Sequence, residues 1–322
     1  MSSLLYLLHS GKNSKVKYFT LSYLRLITPR FLFRKRLSKV LSEVDTRADK
    51  EYILSRVNYY NKMNLHVTLP EDSMQLKDLK MSGHAKVYFF DIFEFTRWFP
   101  SNYHWSYYPG DINRFLPVYS IAKSRPLGDN SNTVIMKLEK DRHFIFVNDK
   151  IPFEDKMNKV IFRGKILNKA SRKLFMEKYF GNPICDLGDV SRHSNFPPEW
   201  HAEKLSIPMH LKYKFIMSLE GNDVASNLKW VMSSNSIAVS PKLTCETWFM
   251  EGTLIPNYHY IEVKPDFSDL EERINYYISH PKESNNIIQH AHEYVEQFKN
   301  RRREKLISLL VLDKYFRITG QK

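Results

Sequence analysis

Between Lys159 and Tyr277, short β-branched and aromatic runs alternate with segments of helical period, and this alternation restricts the fold more than any other feature. Lys159-Val-Ile-Phe162 predicts a strand, Arg163-Gly164 a turn, and Ser171 to Phe180 a helix. Lys214 to Leu219 predicts a buried strand, Glu220 to Ala225 a polar loop, Ser226 to Ser233 a helix, and Ser236 to Ser240 the next strand. That is a βαβ crossover of about 30 residues. Tyr258 to Val263 predicts a further strand, followed by a helix with Leu270, Ile274 and Tyr277 on one face and a capping box from Ser268 to Glu271. Such alternation implies α/β architecture, a parallel sheet covered by helices on both faces. Ligands bind such sheets beyond the carboxyl ends of the strands, here the loops opening at Arg163 and Gly221.

The first half of the chain mixes both periods. Lys86 to Phe90, Trp105 to Tyr108 and His143 to Val147 predict short strands, and Asp49 to Lys62, with Tyr52, Ile53, Val57 and Tyr60 near helical spacing, predicts a helix. The polar stretch Asn148 to Asn158 is the expected linker. A chain of 322 residues has room for two domains. The expected division is 1–155, 156–296, and a basic C-terminal helix over 297–322.

Charge is concentrated at the ends. Residues 1–40 carry nine Lys or Arg and no Asp or Glu, and Gln297 to Lys322 carries eight against Glu304 and Asp313. The body between them is close to neutral, which argues against a nucleic-acid-binding surface on the folded core. The basic ends interleave with apolar residues, as in Phe31-Leu-Phe-Arg-Lys-Arg-Leu37. That pattern fits either solvated helix faces packed on the body or an interfacial segment on an anionic membrane. The apolar run Leu4 to Leu8 lacks the basic flank and cleavage site of a secretion signal, and no run of ~18 apolar residues is present to span a bilayer. Two cysteines, Cys185 and Cys245, are too few for a disulfide framework or a four-Cys zinc site, and a reducing compartment is expected. Cys245 reads as a small core residue.

At the two sheet-edge loops, exposed backbone N–H groups favour an anion, and phosphate is its natural form. Arg163 offers a guanidinium fork, Gly164 and Gly221 let backbone approach closely, Ser226 is placed to cap a helix, and Lys229 adds a cation in its first turn. The alternative is that Arg163 pairs with a carboxylate and the glycines only turn the chain. Neither a G-x-x-x-x-G-K-[ST] loop nor a G-x-G-x-x-G fingerprint is present, which disfavours P-loop and ordinary dehydrogenase readings. The twelve histidines, among them His143, His193, His201, His210, His259, His290 and His292, show no chelating spacing, and there is no Asp-x-Asp pair, so no catalytic metal is expected.

Lys212-Tyr-Lys, Glu220-Gly-Asn-Asp-Val-Ala-Ser-Asn-Leu-Lys-Trp230, Ile255-Pro-Asn-Tyr-His-Tyr-Ile261 and Asp266-Phe-Ser-Asp-Leu270 form an ordered series that resembles glycosyltransferase family 90. Lys159-Val-Ile-Phe-Arg-Gly164 matches that family's strand ending in Phe-Arg-Gly. Arg56-Val-Asn-Tyr-Tyr-Asn61, Pro117 to Pro126 and Arg142-His-Phe144 are most similar to its lipopolysaccharide branch. The resemblance implies a GT-B fold, two Rossmann-like domains with a cleft between them, and inverting transfer from a UDP-sugar without an essential metal or other cofactor. It implies Asp111 as catalytic base, with Asp91 the rival, and places Arg163, Gly221, Ser226 and Lys229 on the donor diphosphate. Where many relatives carry an arginine this chain has Asn227, so Lys123 or Arg125 is expected to meet phosphate charge beside Lys229. Glu246 is expected either to hold the ribose hydroxyls or to cap a helix.

These readings together predict a hexosyltransferase moving glucose or galactose from a UDP-hexose to the lipopolysaccharide inner core, cytoplasmic and peripheral on the inner membrane of a Gram-negative bacterium. The same chemistry on a capsule polysaccharide or protein hydroxyl, and a non-catalytic polyanion-binding protein, are the alternatives.

Overall fold

The computed structural model describes residues 10–83, 86–192 and 195–322. Leu4 to Leu8 and His193 lie outside the described residues. The chain divides into two compact units. Unit 1 takes Arg142–Leu243, Thr253–Gln297 and the described part of Met1–Asn13, and unit 2 takes Ser14–Asp141, Thr244–Gly252 and Phe298–Lys322. The division therefore falls at 141/142 rather than near 155, and the C-terminal helix belongs with the first third of the chain.

Unit 2 opens with helices α1 (Lys15–Ile27), α2 (Phe31–Ser42), α3 (Lys50–Tyr60) and α4 (Lys86–Thr96). Short strands follow the pattern β1 (Met74–Gln75), β2 (His104–Trp105), β3 (Tyr107–Tyr108), β4 (Ser120–Ala122), β5 (Ser124–Pro126) and β6 (Thr133–Ile135). β3, β4 and β6 form a three-stranded parallel sheet in that order, and β1 pairs antiparallel with β2. Lys86 to Phe90, expected as a strand, is the start of α4. Its aromatic run continues to Phe95, and Phe89, Phe90, Ile92, Phe93 and Phe95 are all buried, so a helix enclosed on most sides defeats the local β preference. His143 ends a helical turn, α5 (Lys140–His143), and 144–147 is irregular. There the backbone is satisfied by side chains instead of a ladder: Asn13 Nδ2 donates to the Phe144 carbonyl at 3.1 Å, and the Val147 N–H donates to Ser233 Oγ at 2.9 Å.

Unit 1 is built on β7 (Met157–Gly164), α6 (Ala170–Tyr179), β8 (Cys185–Asp189), α7 (Ile207–His210), β9 (Tyr213–Met217), α8 (Leu228–Val231) and β10 (Ile237–Pro241). β11 (Cys245–Thr247) leaves for unit 2, and β12 (Ile261–Val263), α9 (Leu270–Ser279) and α10 (Pro281–Glu296) return to unit 1. The five strands lie in the order β12-β10-β9-β7-β8, all parallel. Counted within the unit this is the doubly wound order 2-1-3-4-5, whose direction reverses between β7 and β9. Val160, Phe162, Phe215, Met217, Val239 and Ile261 join Phe175, Ile274 and Tyr277 in one continuous core.

Other local expectations change. Arg163 and Gly164 are the last residues of β7, paired with Gly188 and Asp189 of β8, so they do not make the turn. The expected linker is folded: Lys156 Nζ bonds Asp149 Oδ2 at 2.7 Å, both side chains buried, and the Asn235 N–H donates to the same oxygen at 3.0 Å. The capping box does not form. Asp269 is the N-cap of α9 without a side-chain cap, its carboxylate taking the Lys264 N–H, while Asp266 takes the Ser268 N–H.

The last helix, α11 (Arg301–Ile318), is a core element of unit 2. Ile307, Leu309, Val311, Leu312, Tyr315 and Phe316 are all fully buried. That packing leaves it no apolar face for a membrane, contrary to the reading of both ends as alike. Among the described residues no helix is long and apolar enough to cross a membrane.

Candidate active site

In unit 2, Asp111 follows β3 in a loop pinned by its neighbour. The Ile112 N–H donates to Ser124 Oγ at 2.9 Å, and the same hydroxyl donates to the Ile112 carbonyl at 3.1 Å. Asp111 Oδ1 accepts from Lys123 Nζ and lies 3.0 Å from the Tyr88 hydroxyl of α4. Lys123 also pairs with Glu139 Oε2 at 3.1 Å, and Tyr88 reaches that oxygen at 3.3 Å. Glu139 stands in the left-handed region, φ 56°, rare for a residue with a Cβ. Two carboxylates therefore share one buried ammonium, and the Asp111 side chain keeps 21% of its surface open. A carboxylate fixed from behind with an open face suits a general base.

Asp91 differs on that point. Its side chain is 1% exposed, and it accepts from the Tyr18 hydroxyl at 2.8 Å and the Lys140 N–H at 2.8 Å. Burial pushes its carboxyl up to about 6 against the pull of Lys140. It ties α1 to α4 and the α5 turn, and solvent does not reach it.

Lys123 and Arg125, expected beside donor phosphate, are buried in unit 2 as partners of carboxylates. Arg125 in β5 sits opposite Glu246 in the antiparallel β5/β11 pair. Its Nε donates to Glu246 Oε1 at 2.7 Å, and its other nitrogens donate to the carbonyls of Tyr59, Tyr60 and Thr133 at 2.7 to 3.3 Å. The Tyr59 hydroxyl donates to the second Glu246 oxygen. Glu246 thus lies in a strand and caps no helix; with Arg125 it forms a buried cross-strand ion pair. A Cβ on Gly252 would stand 2.8 Å from Glu246 Oε2, so glycine is needed there for close approach. Cys245 is buried beside it in β11, a core residue as expected.

In unit 1, the sheet order puts the switch point at the loops after β7 and β9, where the sequence had directed attention. The residues named there are nevertheless used differently. Arg163 forks onto β8: Nη2 bonds Asp186 Oδ1 at 2.6 Å and Nη1 the Asp186 carbonyl at 2.9 Å. Burial works against the Asp186 carboxylate, but hydrogen bonds from Tyr213 and Arg163 hold it below its ordinary range. A Cβ on Gly164 would meet the Phe162 ring at 2.6 Å, and one on Gly188 would meet Ala202 at 2.3 Å, so these glycines serve packing. α8 is a single turn. Its N-cap is Asn227, whose Nδ2 donates to the Met217 carbonyl at 3.0 Å, so Ser226 is not the cap. Lys229 is buried, its ammonium 5.9 Å from the centre of the Phe144 ring.

What gathers the switch point is Arg172, which sequence reasoning missed. From the first turn of α6 it donates to the Lys165 carbonyl at 2.9 Å, the Leu219 carbonyl at 2.8 Å and the Glu220 carbonyl at 3.1 Å. It thereby clamps the loop after β7 to the loop after β9, and Gly221 lies against it, a Cβ there falling 3.2 Å from Nη2. These three acceptors are neutral, so the positive charge persists. Burial, and then the like charge of Arg142, hold the Arg172 guanidinium below its ordinary value. A lone arginine one turn into a helix carries no signal in spacing; Lys169, bonded to Asn222 across the same two loops, carried none either. Among the described residues no group of three His, Cys, Asp or Glu is arranged to hold a metal ion.

A doubly wound parallel sheet with cations at its switch point is a scaffold for a phosphorylated ligand. The model of glycosyl transferase family 90 matches residues 117–310. The O-glucosyltransferase LpsA of Dichelobacter nodosus is 34% identical over 307 residues, which cover 94% of this chain and 95% of that one. The chain belongs to glycosyl transferase family 90, and it is a glycosyltransferase. Asp111 precedes the residues matched by the family model, whereas Glu139, Arg172 and the Glu220–Lys229 loop fall within them.

Proposed function

We propose that the chain transfers a hexose from a UDP-sugar to a sugar hydroxyl of the lipopolysaccharide inner core, with inversion and without a metal, in a GT-B organisation. The observation that carries the donor half is the Arg172 clamp at the switch point of unit 1, with Arg142 adding a second positive charge. In this reading the diphosphate meets those guanidinium groups and the backbone N–H groups after β7 and β9. Asp111 takes the proton of the acceptor hydroxyl as its oxygen attacks the anomeric carbon. The bond from that carbon to the diphosphate oxygen breaks, and the electron pair leaves with UDP, whose charge the cations stabilise. Glucose is supported over galactose by the activity named for the relative. The likeness of Pro117–Pro126 and Arg142–Phe144 to the lipopolysaccharide branch supports the acceptor. A lipid-borne acceptor of this kind would hold the enzyme at the cytoplasmic leaflet.

The test is incubation with a panel of UDP-sugars and truncated lipopolysaccharide in EDTA, following UDP release and product mass. Transfer of one hexose, absent in Asp111→Asn, is expected. No donor consumption together with no UDP binding by calorimetry overturns the reading.

A further inference from the structure

We propose that α1 and α2 form a basic, apolar-faced hairpin that lies on an anionic lipid bilayer and seats unit 2 there. This deepens the proposed lipid-borne acceptor by naming the element that meets its membrane, yet it needs no turnover to be tested.

α1 is committed on one side only. Tyr18, Ser22 and Leu26 face inward: the Tyr18 hydroxyl bonds Asp91, Ser22 is fully buried, and Leu26 packs on the Phe89/Phe90/Phe93 cluster of α4. Tyr23 still reaches inward, its ring 5.0 Å from that of Phe90, but Val16, Leu24 and Ile27 follow i, i+8, i+11 spacing and form a second apolar stripe on the other side. Val16 and Ile27 are 79% and 77% exposed, Leu24 50%. Across the Thr28-Pro29-Arg30 turn, Phe31 and Leu32 continue the patch at 54% and 45% exposed. The turn itself is held from within, Arg97 donating to the Arg25 carbonyl at 2.7 Å with its guanidinium 3.6 Å from the centre of the Phe33 ring. The outward stripe is thus presented by a braced element.

Charge selects the occupant. Lys15, Lys17, Lys35, Arg36 and Lys39 are exposed around the patch, and no Asp or Glu occurs before Glu43. A second copy of the chain would bring the same positive charge against itself. An anionic bilayer instead takes up the apolar side chains about 5–10 Å deep while its headgroups meet the cations. α11, the other basic segment, has its apolar residues in the core, so one end of the chain serves as the contact.

The experiment is co-sedimentation of the full chain with acceptor-free vesicles of phosphatidylglycerol and phosphatidylethanolamine, against phosphatidylcholine alone. Binding to the anionic vesicles that weakens with salt is expected. Leu24→Ser/Ile27→Ser/Phe31→Ser and, separately, Lys35→Glu/Lys39→Glu should each weaken it by about tenfold or more. The replaced apolar groups are half or more exposed, so the melting temperature should fall only slightly, and the charge variant, whose lysines are exposed, tests the surface should the apolar variant fold poorly. Vesicle binding equal to wild type in both variants overturns the proposal. So does a dimer that the apolar variant dissociates while vesicle binding persists. Loss of transfer in the wild type would leave these results standing, because the vesicles carry no acceptor.

Discussion

Arg56 of α3 and Glu304 of α11, 248 residues apart, form a buried ion pair at 2.6 Å. Trp248, from the β11 excursion, donates its indole N–H to the second Glu304 oxygen at 2.6 Å and stacks on Tyr60, ring centres 3.9 Å apart. Lys137 adds a second cation to that oxygen at 3.2 Å. All three segments of unit 2 meet at this one carboxylate, which gives the Arg56-Val-Asn-Tyr-Tyr-Asn61 motif a physical purpose. Arg56 binds Glu304, Tyr59 binds Glu246, Tyr60 bonds the Trp248 carbonyl, and Asn61 bonds the Val311 carbonyl.

Removing one partner of such a pair strands the other in a low dielectric. Glu304→Gln should destabilise unit 2 by about 3–5 kcal/mol, read by urea unfolding. Burial opposes the Glu304 charge, but Lys137 and Arg56 hold its carboxyl below its ordinary 4.5. The unfolded chain therefore binds more protons than the folded one in that range. The stabilisation is complete above pH 4.5 and is lost as pH falls through the lower folded value, so the variant should show a shallower acid limb.

Asp91 runs the other way. Its carboxyl rises from 3.8 to about 6 on folding, so between those values the folded state holds the extra proton and stability falls as pH rises. Asp91→Asn should remove that decline in pH-dependent melting and keep transfer within a few-fold. Asp111→Asn should lower kcat by about 10²–10⁴ with little change in melting. The reverse pattern would exchange their roles.

Arg172→Ala gives up three charged hydrogen bonds across the switch point. At about 1.5–3 kcal/mol for a charged bond, kcat/KM for the nucleotide sugar should fall by roughly 10- to 100-fold even if only one bond's worth is felt by the donor. Arg172→Lys should recover little, because an ammonium cannot span the three carbonyls. Steady-state kinetics and UDP calorimetry check both.

Gly188→Ala sets a methyl 2.3 Å from the Ala202 Cβ, on strand backbone that cannot swing away. A loss of about 1–3 kcal/mol is expected, with UDP affinity unchanged in the folded fraction. Gly221→Ala, 3.2 Å from the end of the Arg172 side chain, should instead leave melting nearly unaltered and weaken UDP binding.

The parallel sheet of unit 1 was legible because β-branched runs of strand length alternated with helical periods, and the loops at its carboxyl edge followed from that. The roles of Arg163 and Glu246 were not legible. Their partners, Asp186 and Arg125, lie 23 and 121 residues away and are brought close only by strand pairing. Lys86 to Phe90 misled for a related reason: aromatic residues favour strands locally, but an eleven-residue run enclosed by α1 and the α4 neighbours is satisfied as helix. The two basic ends were indistinguishable in composition, and only packing separates a buried α11 from an outward-facing α1.

The threading of unit 2 sets a schedule for synthesis. Arg56 leaves the ribosome long before Glu304, and at about 5–20 residues per second the wait is on the order of tens of seconds. Throughout it, the Arg56 guanidinium stands without its carboxylate, while the intervening 142–243 segment already holds four of the five strands of its own sheet. The unit that holds most of the first 141 residues is the last to close.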